Sequence, residues 1–427
     1  MMRHLLILLL STAFATLLAQ STTPTVDDGK VYPLTWTTPR FLADSMAQES
    51  SYPMLAVDGQ TLYFSRHNHP RNVGLTDAAD VWRCEKEPDG NWGVPFHLGV
   101  AINTNETDRL IGIDASETSL LLYERDSSGI VISQRKGRTW APPKTMTFAG
   151  MEIWPTTASV AMGPHASIMI ISQPTGNNGE QDLYISRRLS EWVWGPLTSL
   201  GSTINSEQDE LACWLAADLQ SLYFASNRPG GQGGFDLYVS RRLDDSWEKW
   251  TLPVNLGFTI NTAADERQLS VSAEGNTAVM MRETEGKEQL FTVELPLSCY
   301  PKPVTLVKVN LLGTSYPQYL KLSPADPTLP SAYLYTDQNG QLGYVAPLGK
   351  QPLLQTYQRD LVSVPLTFLA DASAEEDLPE TAMLVSLKAD EAYQRRETTI
   401  ANELTRFNAL DEQVRKMEVN DRPTLDK

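Results

Sequence analysis

Four carboxylates recur at matched places along this chain: Asp108, Glu152, Glu210 and Glu266. A fifth copy of the pattern has Ser50 there, with Glu49 beside it. Carboxylates facing one space could hold a hard cation such as Ca²⁺, or a basic peptide segment. A repeated acid also serves as an acceptor for nearby backbone N–H groups, which is the plainer use. Asp80, Asp182 and Asp236 recur in the same architectural manner. His67 and His69 form an H-x-H pair in a long loop. Two imidazoles at that spacing can chelate a metal, but no third ligand accompanies them, so both are read as surface residues and no metal is assigned. Arg228, Phe235 and Asn177 sit in Gly-rich loops and complete the set of candidate binding residues. No catalytic residue stands out: the chain has no G-x-S-x-G, P-loop, H-E-x-x-H or Rossmann glycine run. A carboxylate pair for glycoside hydrolysis stays open. Yet these acids belong to the repeat, and chemistry needs one site rather than five.

The elements that must position these residues are repeated too. Three stretches match: WGVPFHLGVAINTNETD (92–108), WGPLTSLGSTINSEQDE (194–210) and WTLPVNLGFTINTAADE (250–266). In each, Leu-Gly follows the Trp by six residues, and Ile and Asn follow it by ten and eleven. LYFSR pairs with LYFASNR, and DLYISRR with DLYVSRR. Two further copies are degenerate, around 120–146 and 278–294. The runs are β-branched and aromatic, with Gly, Pro, Asn and Asp between them, so each unit reads as four strands. Second and third strands occur five times, but Trp-type outer strands after the leader occur four times. WTTPRFL (36–42) is the missing one, which closes the ring by a strand from the N-terminus and removes an open sheet edge. The expected fold is all-β, a five-bladed β-propeller over residues 31–298.

Strand alternation puts the loops joining strands two and three on the same face as the loops joining strand four to the next strand one. The long segments 66–79, 173–181 and 227–235 therefore gather on one side, which is the expected binding face. Repeated Trp residues are expected to pack between blades.

Residues 1–20 read as a secretory signal, with Arg3, a short apolar run at Leu5–Leu10 and small residues after it. No other stretch has the roughly 18 apolar residues of a membrane helix, so no integral membrane protein is expected. The formal charge is −17, which disfavours nucleic acid and anionic membrane surfaces as partners. The three cysteines, Cys84, Cys213 and Cys299, are widely spaced and form no zinc motif. One disulfide is open, with no pairing fixed.

The run LYFASNRPGGQGGFDLYVSRR followed by W…P…LG…IN…DE resembles the repeats of TolB-type (WD-like, PD40-type) propellers. It is most similar to those of Bacteroidota envelope proteins, in which a small β-domain and often an OmpA-like domain follow. SAYLYTDQNGQLGYVAPLGKQPLLQTY resembles a carboxypeptidase-regulatory-like β-sandwich, assigned to 299–388. About forty residues remain after Lys388 and carry no peptidoglycan-contacting motif, so no OmpA-like domain is expected in them. Residues 389–427 instead carry Ile400, Leu404, Phe407, Leu410, Val414 and Met417 at three- and four-residue steps, an amphipathic helix. Such a helix packs on its own domain or serves as a partner or self-association surface. The resemblance implies a periplasmic or outer-membrane-associated interaction protein near outer-membrane biogenesis, secretion or gliding machinery. Its expected partner is an envelope protein or glycan on the long-loop face, without catalysis. No cofactor is expected, with Ca²⁺ at the channel mouth left open. The alternative is a glycan-processing or Ca²⁺-stabilised propeller enzyme.

Overall fold

The computed structural model describes residues 39–347 with short gaps at 43–48, 74–78, 125–128, 137–138, 151–157, 176–179, 191–192, 312–318, 324–329 and 337–340, and strands at 25–27, 30–32, 353–356, 367–370 and 382–388. The leader 1–20, Glu152, Asn177 and the helix expected at 389–427 lie outside the described residues. Two compact units are present, Met1–Thr38 and Pro39–Lys427. In the first, Thr25–Asp27 pairs antiparallel with Lys30–Tyr32.

The second unit holds a five-bladed propeller. Blade one runs Ser50–Leu55, Thr61–His67, Ala79–Glu85 and Phe96–His97; blade four runs Glu210–Leu215, Ser221–Ser226, Asp236–Arg241 and Val254–Asn255. Blades two and three occupy 109–145 and 160–199 in the same meander. Blade five is Asp265–Val271, Ala278–Thr284 and Lys287–Val293, and its outer strand is Arg40–Phe41, with Phe41 opposite Phe291. The innermost strands contact one another in the cycle one-two-three-four-five-one. Hydrogen bonds stitch neighbouring blades: Leu55 N–H donates to Ser270 Oγ at 3.1 Å, and Ala212 N–H to Ser159 Oγ at 2.7 Å. A Cβ on Gly112 would meet that of Met162 at 2.8 Å, so blades two and three approach as closely as a glycine allows.

The repeat has a mechanical explanation. Asn103, Asn205 and Asn261 each use the side-chain amide as a substitute strand. Each Oδ1 accepts the backbone N–H, and each Nδ2 donates to the carbonyl, of Val81, Leu183 and Leu237 respectively, at 2.8–3.1 Å. The preceding Gly99, Gly201 and Gly257 have φ of +81°, +83° and +88°, which a side chain disfavours. Trp92, Trp194 and Trp250 bridge back to Lys86, Arg188 and Arg242. Trp82, Trp194 and Trp247 are buried between blades.

The inner strands fill the axis with Leu55, Val57, Ile113, Met162, Leu215 and Val271. On the side of the turns between strands one and two, Val345 of strand Gln341–Pro347 packs with Val57 and Ala273. Its N–H donates to His165 Nε2 at 3.1 Å. The residues after the propeller form one sheet of four strands and one of three. No helix among the described residues is long and apolar enough to cross a membrane.

Candidate functional site

A cavity of about 700 Å³ opens at the axis on the long-loop face. Its walls come from blades one, two and five: Glu49, Tyr52, His67 and Asn68; Thr107, Arg109 and Tyr123; Glu283, Gly286, Lys287 and Glu288. The volume falls in the range typical of small-molecule sites. Three carboxylates, two tyrosines, an arginine and a lysine therefore converge at one end of a channel whose axis is packed with aliphatic side chains beyond.

Four of the eight described non-glycine residues with positive φ lie here, one of them in a two-residue hairpin turn. Glu49, Tyr52 and Asn68 have φ of 56°, 53° and 53°, and Glu285, in the turn beside Gly286, has φ of 53°. A non-glycine residue in the left-handed region costs roughly 1–3 kcal/mol and persists where surroundings over-determine it, often at functional sites. Tyr52 is held by its N–H, which donates to Gln268 Oε1 at 2.6 Å across the junction of blades one and five. Arg109 Nη1 donates to Tyr52 Oη at 2.9 Å. The guanidinium also lies against the rings of Tyr52 and Tyr123, 5.0 and 4.5 Å from their centroids. Glu283 faces Arg267 at 3.8 Å, and Glu288 faces His67 at 4.0 Å.

The recurring acids are occupied elsewhere. Glu210, fully buried, accepts from Ser206 N–H at 2.9 Å, from the Ser206 and Ser226 hydroxyls at 2.6 and 2.9 Å, and from Arg228 Nη2 at 3.0 Å. Glu266 accepts from Thr262 N–H and Oγ1 and from Arg282 Nε, at 2.6–2.9 Å. Burial pushes its carboxyl up, against those bonds. Asp108 accepts from Thr104 N–H at 2.6 Å. Each acid thus ties down the loop entering its own inner strand, and none of the three lines the cavity. Asp236 does likewise for Gln232 N–H and Asn255 Nδ2.

His67 and His69 do not converge. His67 lines the cavity, whereas His69 packs edge-on to Trp82, with centroids 4.6 Å apart, and its Nδ1 accepts from Arg71 N–H. Burial and the neighbouring Arg66 and Arg71 lower the His69 pKa. No group of three metal-ligating side chains occurs among the described residues. Arg228 is spent on Glu210 and on the faces of Phe224 and Tyr238. Phe235 lies under the Arg267 guanidinium. The glycines beside it are packing devices, since a Cβ on Gly233 would collide with the carbonyls of Thr262 and Ala264. The three cysteines are buried and free, with the Cys84 and Cys213 thiols pushed up to about 12 by burial.

Comparison with known proteins gives fold likeness without close kinship. No family model matches the chain, and no curated protein matches it. An exo-β-1,3-galactanase from Phanerochaete chrysosporium is similar at 8% identity, covering 75% of this chain and 94% of that one, with TM-score 0.37. A putative glycoside hydrolase from Parabacteroides distasonis is 11% identical, covering 64% and 95%, with TM-score 0.38. The β-propeller domain of the Trilobed protease from Pyrococcus furiosus is 11% identical, covering 74% and 81%, with TM-score 0.30. No family model supports the TolB-type or Bacteroidota assignment; the five-bladed propeller is what stands. Two expectations are corrected on this finding, that of a non-catalytic interaction module and that of no enzyme. The similar solved structures are mostly named as glycoside hydrolases.

Proposed function

We propose that this chain is a glycan-processing propeller whose substrate occupies the cavity lined by Glu49, Tyr52, Arg109, Tyr123, Glu283 and Glu288. The observation that carries this reading is the convergence of three carboxylates outside the repeated acid position with two tyrosines at one axial cavity. Carboxylates and tyrosine hydroxyls hydrogen-bond sugar hydroxyls. Glycoside hydrolysis needs two carboxylates across the scissile bond, one as acid and one as base or nucleophile. Three glutamates supply that pair with one to spare for orientation. The strained backbone at Glu49, Tyr52 and Asn68 supports a preorganised site.

The TolB-type resemblance of the repeats, export by residues 1–20 to the periplasm or outer membrane, and a β-sandwich at 299–388 belong to the same proposal. A glycan of the cell envelope or its surroundings is then the partner, with no resident metal required by the cavity residues. The test is release of reducing ends from a panel of polysaccharides and aryl glycosides by the mature chain. Activity on a member of the panel is expected, falling at least 100-fold in two of Glu49→Gln, Glu283→Gln and Glu288→Gln. Activity unchanged in all three variants would remove the cavity as the site, and silence across the panel would remove the hydrolytic reading.

A further inference from the structure

Arg109 stands out within the cavity for what it lacks. No carboxylate pairs with it among the described residues. Its hydrogen bonds run to the neutral Tyr52 hydroxyl and, at 3.5 Å, to the Ala158 carbonyl. Its Nε is buried without a hydrogen-bond partner among the described residues, as is Arg267 Nε. The corresponding position of blade five is also an arginine, and the contrast is informative. Arg267 is paired with Asp265 at 2.7 Å and with Glu283 at 3.8 Å. Among the described residues, one fold position thus holds two arginines, one paired with carboxylates and one not.

A half-buried guanidinium without a counter-charge is unfavourable unless something supplies the missing anion. The two tyrosine rings offset part of this through cation–π contact. They also hold the planar fork, so its donors are fixed in direction. Lys287 lines the same cavity. Tyr123 Oη, on a residue 7% exposed, has no hydrogen-bond partner. Tyr52 Oη, already accepting from Arg109, keeps its own proton to donate. A cation, a fork and two hydroxyls thus share one wall.

We infer that Arg109 is an anion-recognition residue and that the glycan taken by this cavity carries an acidic substituent, a carboxylate or a sulfate ester. This rests on the glycan reading of the cavity and adds the substrate class. Of the three cavity glutamates, Glu283 faces Arg267, Glu288 faces His67, and Glu49 acts on the Arg66 guanidinium. The chain's overall negative charge slows approach, but it is screened beyond about 8 Å at physiological salt. Arginine suits planar oxyanions because its donors match them two at a time.

The test is calorimetric titration of the full mature chain with size-matched oligosaccharides: an oligogalacturonate, a sulfated galactan fragment and a neutral galactan fragment. The wild type is expected to prefer one acidic arm over the neutral one by about 10- to 100-fold, the range of hydrogen bonds to charged groups. Which acidic arm wins tells carboxylate from sulfate. Arg109→Met should erase the preference, bringing affinity for the acidic arms down to that for the neutral arm. Arg109→Lys, which keeps the charge but loses the fork, should lose most of the ratio between acidic and neutral arms, and it carries the test if the Met variant does not fold. Binding of the neutral arm as tight as the acidic arms, or equal loss on all arms in the variants, overturns the inference and leaves the glycan reading intact. No binding on any arm overturns both.

Discussion

Replacing Glu210 by alanine separates architecture from binding. Its carboxylate is fully buried and takes four hydrogen bonds, one from Arg228, whose side chain is 14% exposed. Alanine would leave the Arg228 charge half-buried and unpaired, and Ser206 N–H without an acceptor. Breaking a buried pair by removing one partner costs about 3–5 kcal/mol. For a domain of this size that corresponds to a fall in Tm of roughly 6–12 °C. Glu210→Gln should cost less, about 2 kcal/mol. Its oxygen can keep the three donors at Oε1, but its amide then faces Ser206 N–H, donor against donor. Thermal unfolding by circular dichroism reads both variants. Ligand affinity, measured well below the transition, should be unchanged. A variant of full stability that loses ligand affinity would refute the reasoning and return the recurring acids to a binding role.

Three further outcomes follow from the same geometry. Asn261→Ala removes the amide that mimics a strand against Leu237 and should destabilise by about 2–4 kcal/mol in denaturant unfolding, because both backbone groups are left buried without partners. His165 is buried, accepts the Val345 N–H, and is held down to about 4 by burial. Its value in the unfolded chain is about 6.5, so the folded state binds fewer protons in between. That stability is fully present above about pH 6.5 and is lost as pH falls toward 4, up to about 3 kcal/mol. Unfolding midpoints across this window should show a loss that His165→Gln flattens. Finally, Cys84, Cys213 and Cys299 are buried thiols, and a thiol-titrating dye should find none of them in the native chain and all three in denaturant.

The propeller was legible because each blade repeats one solution to the same problem. The Asn at 103, 205 and 261 must reach one backbone unit, and the Gly at 99, 201 and 257 must turn with φ > 0, so both recur at fixed spacing. Counting strands then left one outer strand to be found before the first repeat, and Arg40–Phe41 pairs there. The same regularity misdirected the search for a site. Glu210 and Glu266 recur because they brace loops, and Arg228 recurs with Arg282 because each answers its glutamate. Glu49, Arg109, Tyr123, Glu283 and Glu288 left a different trace. Tyr123, Glu283 and Glu288 sit where copies diverge, whereas Arg109 shares its place with Arg267, and Glu49 shares its place with Asp209 and Asp265. A residue that breaks a repeat beside the axis was the available signal. What the sequence could not supply was the left-handed backbone at Glu49 and Tyr52, or the pairing that neutralises Arg267 and not Arg109.

The most direct measurement compares oligosaccharide affinity in the wild type, in a Glu49→Gln/Glu283→Gln/Glu288→Gln triple variant, and in a control carrying Glu87→Gln, Glu207→Gln and Glu248→Gln at exposed positions. All three should share one unfolding temperature within a few degrees. The cavity variant should lose at least tenfold in affinity while the control matches the wild type. Equal affinity in all three chains would contradict the claim that this cavity is where the protein meets a glycan.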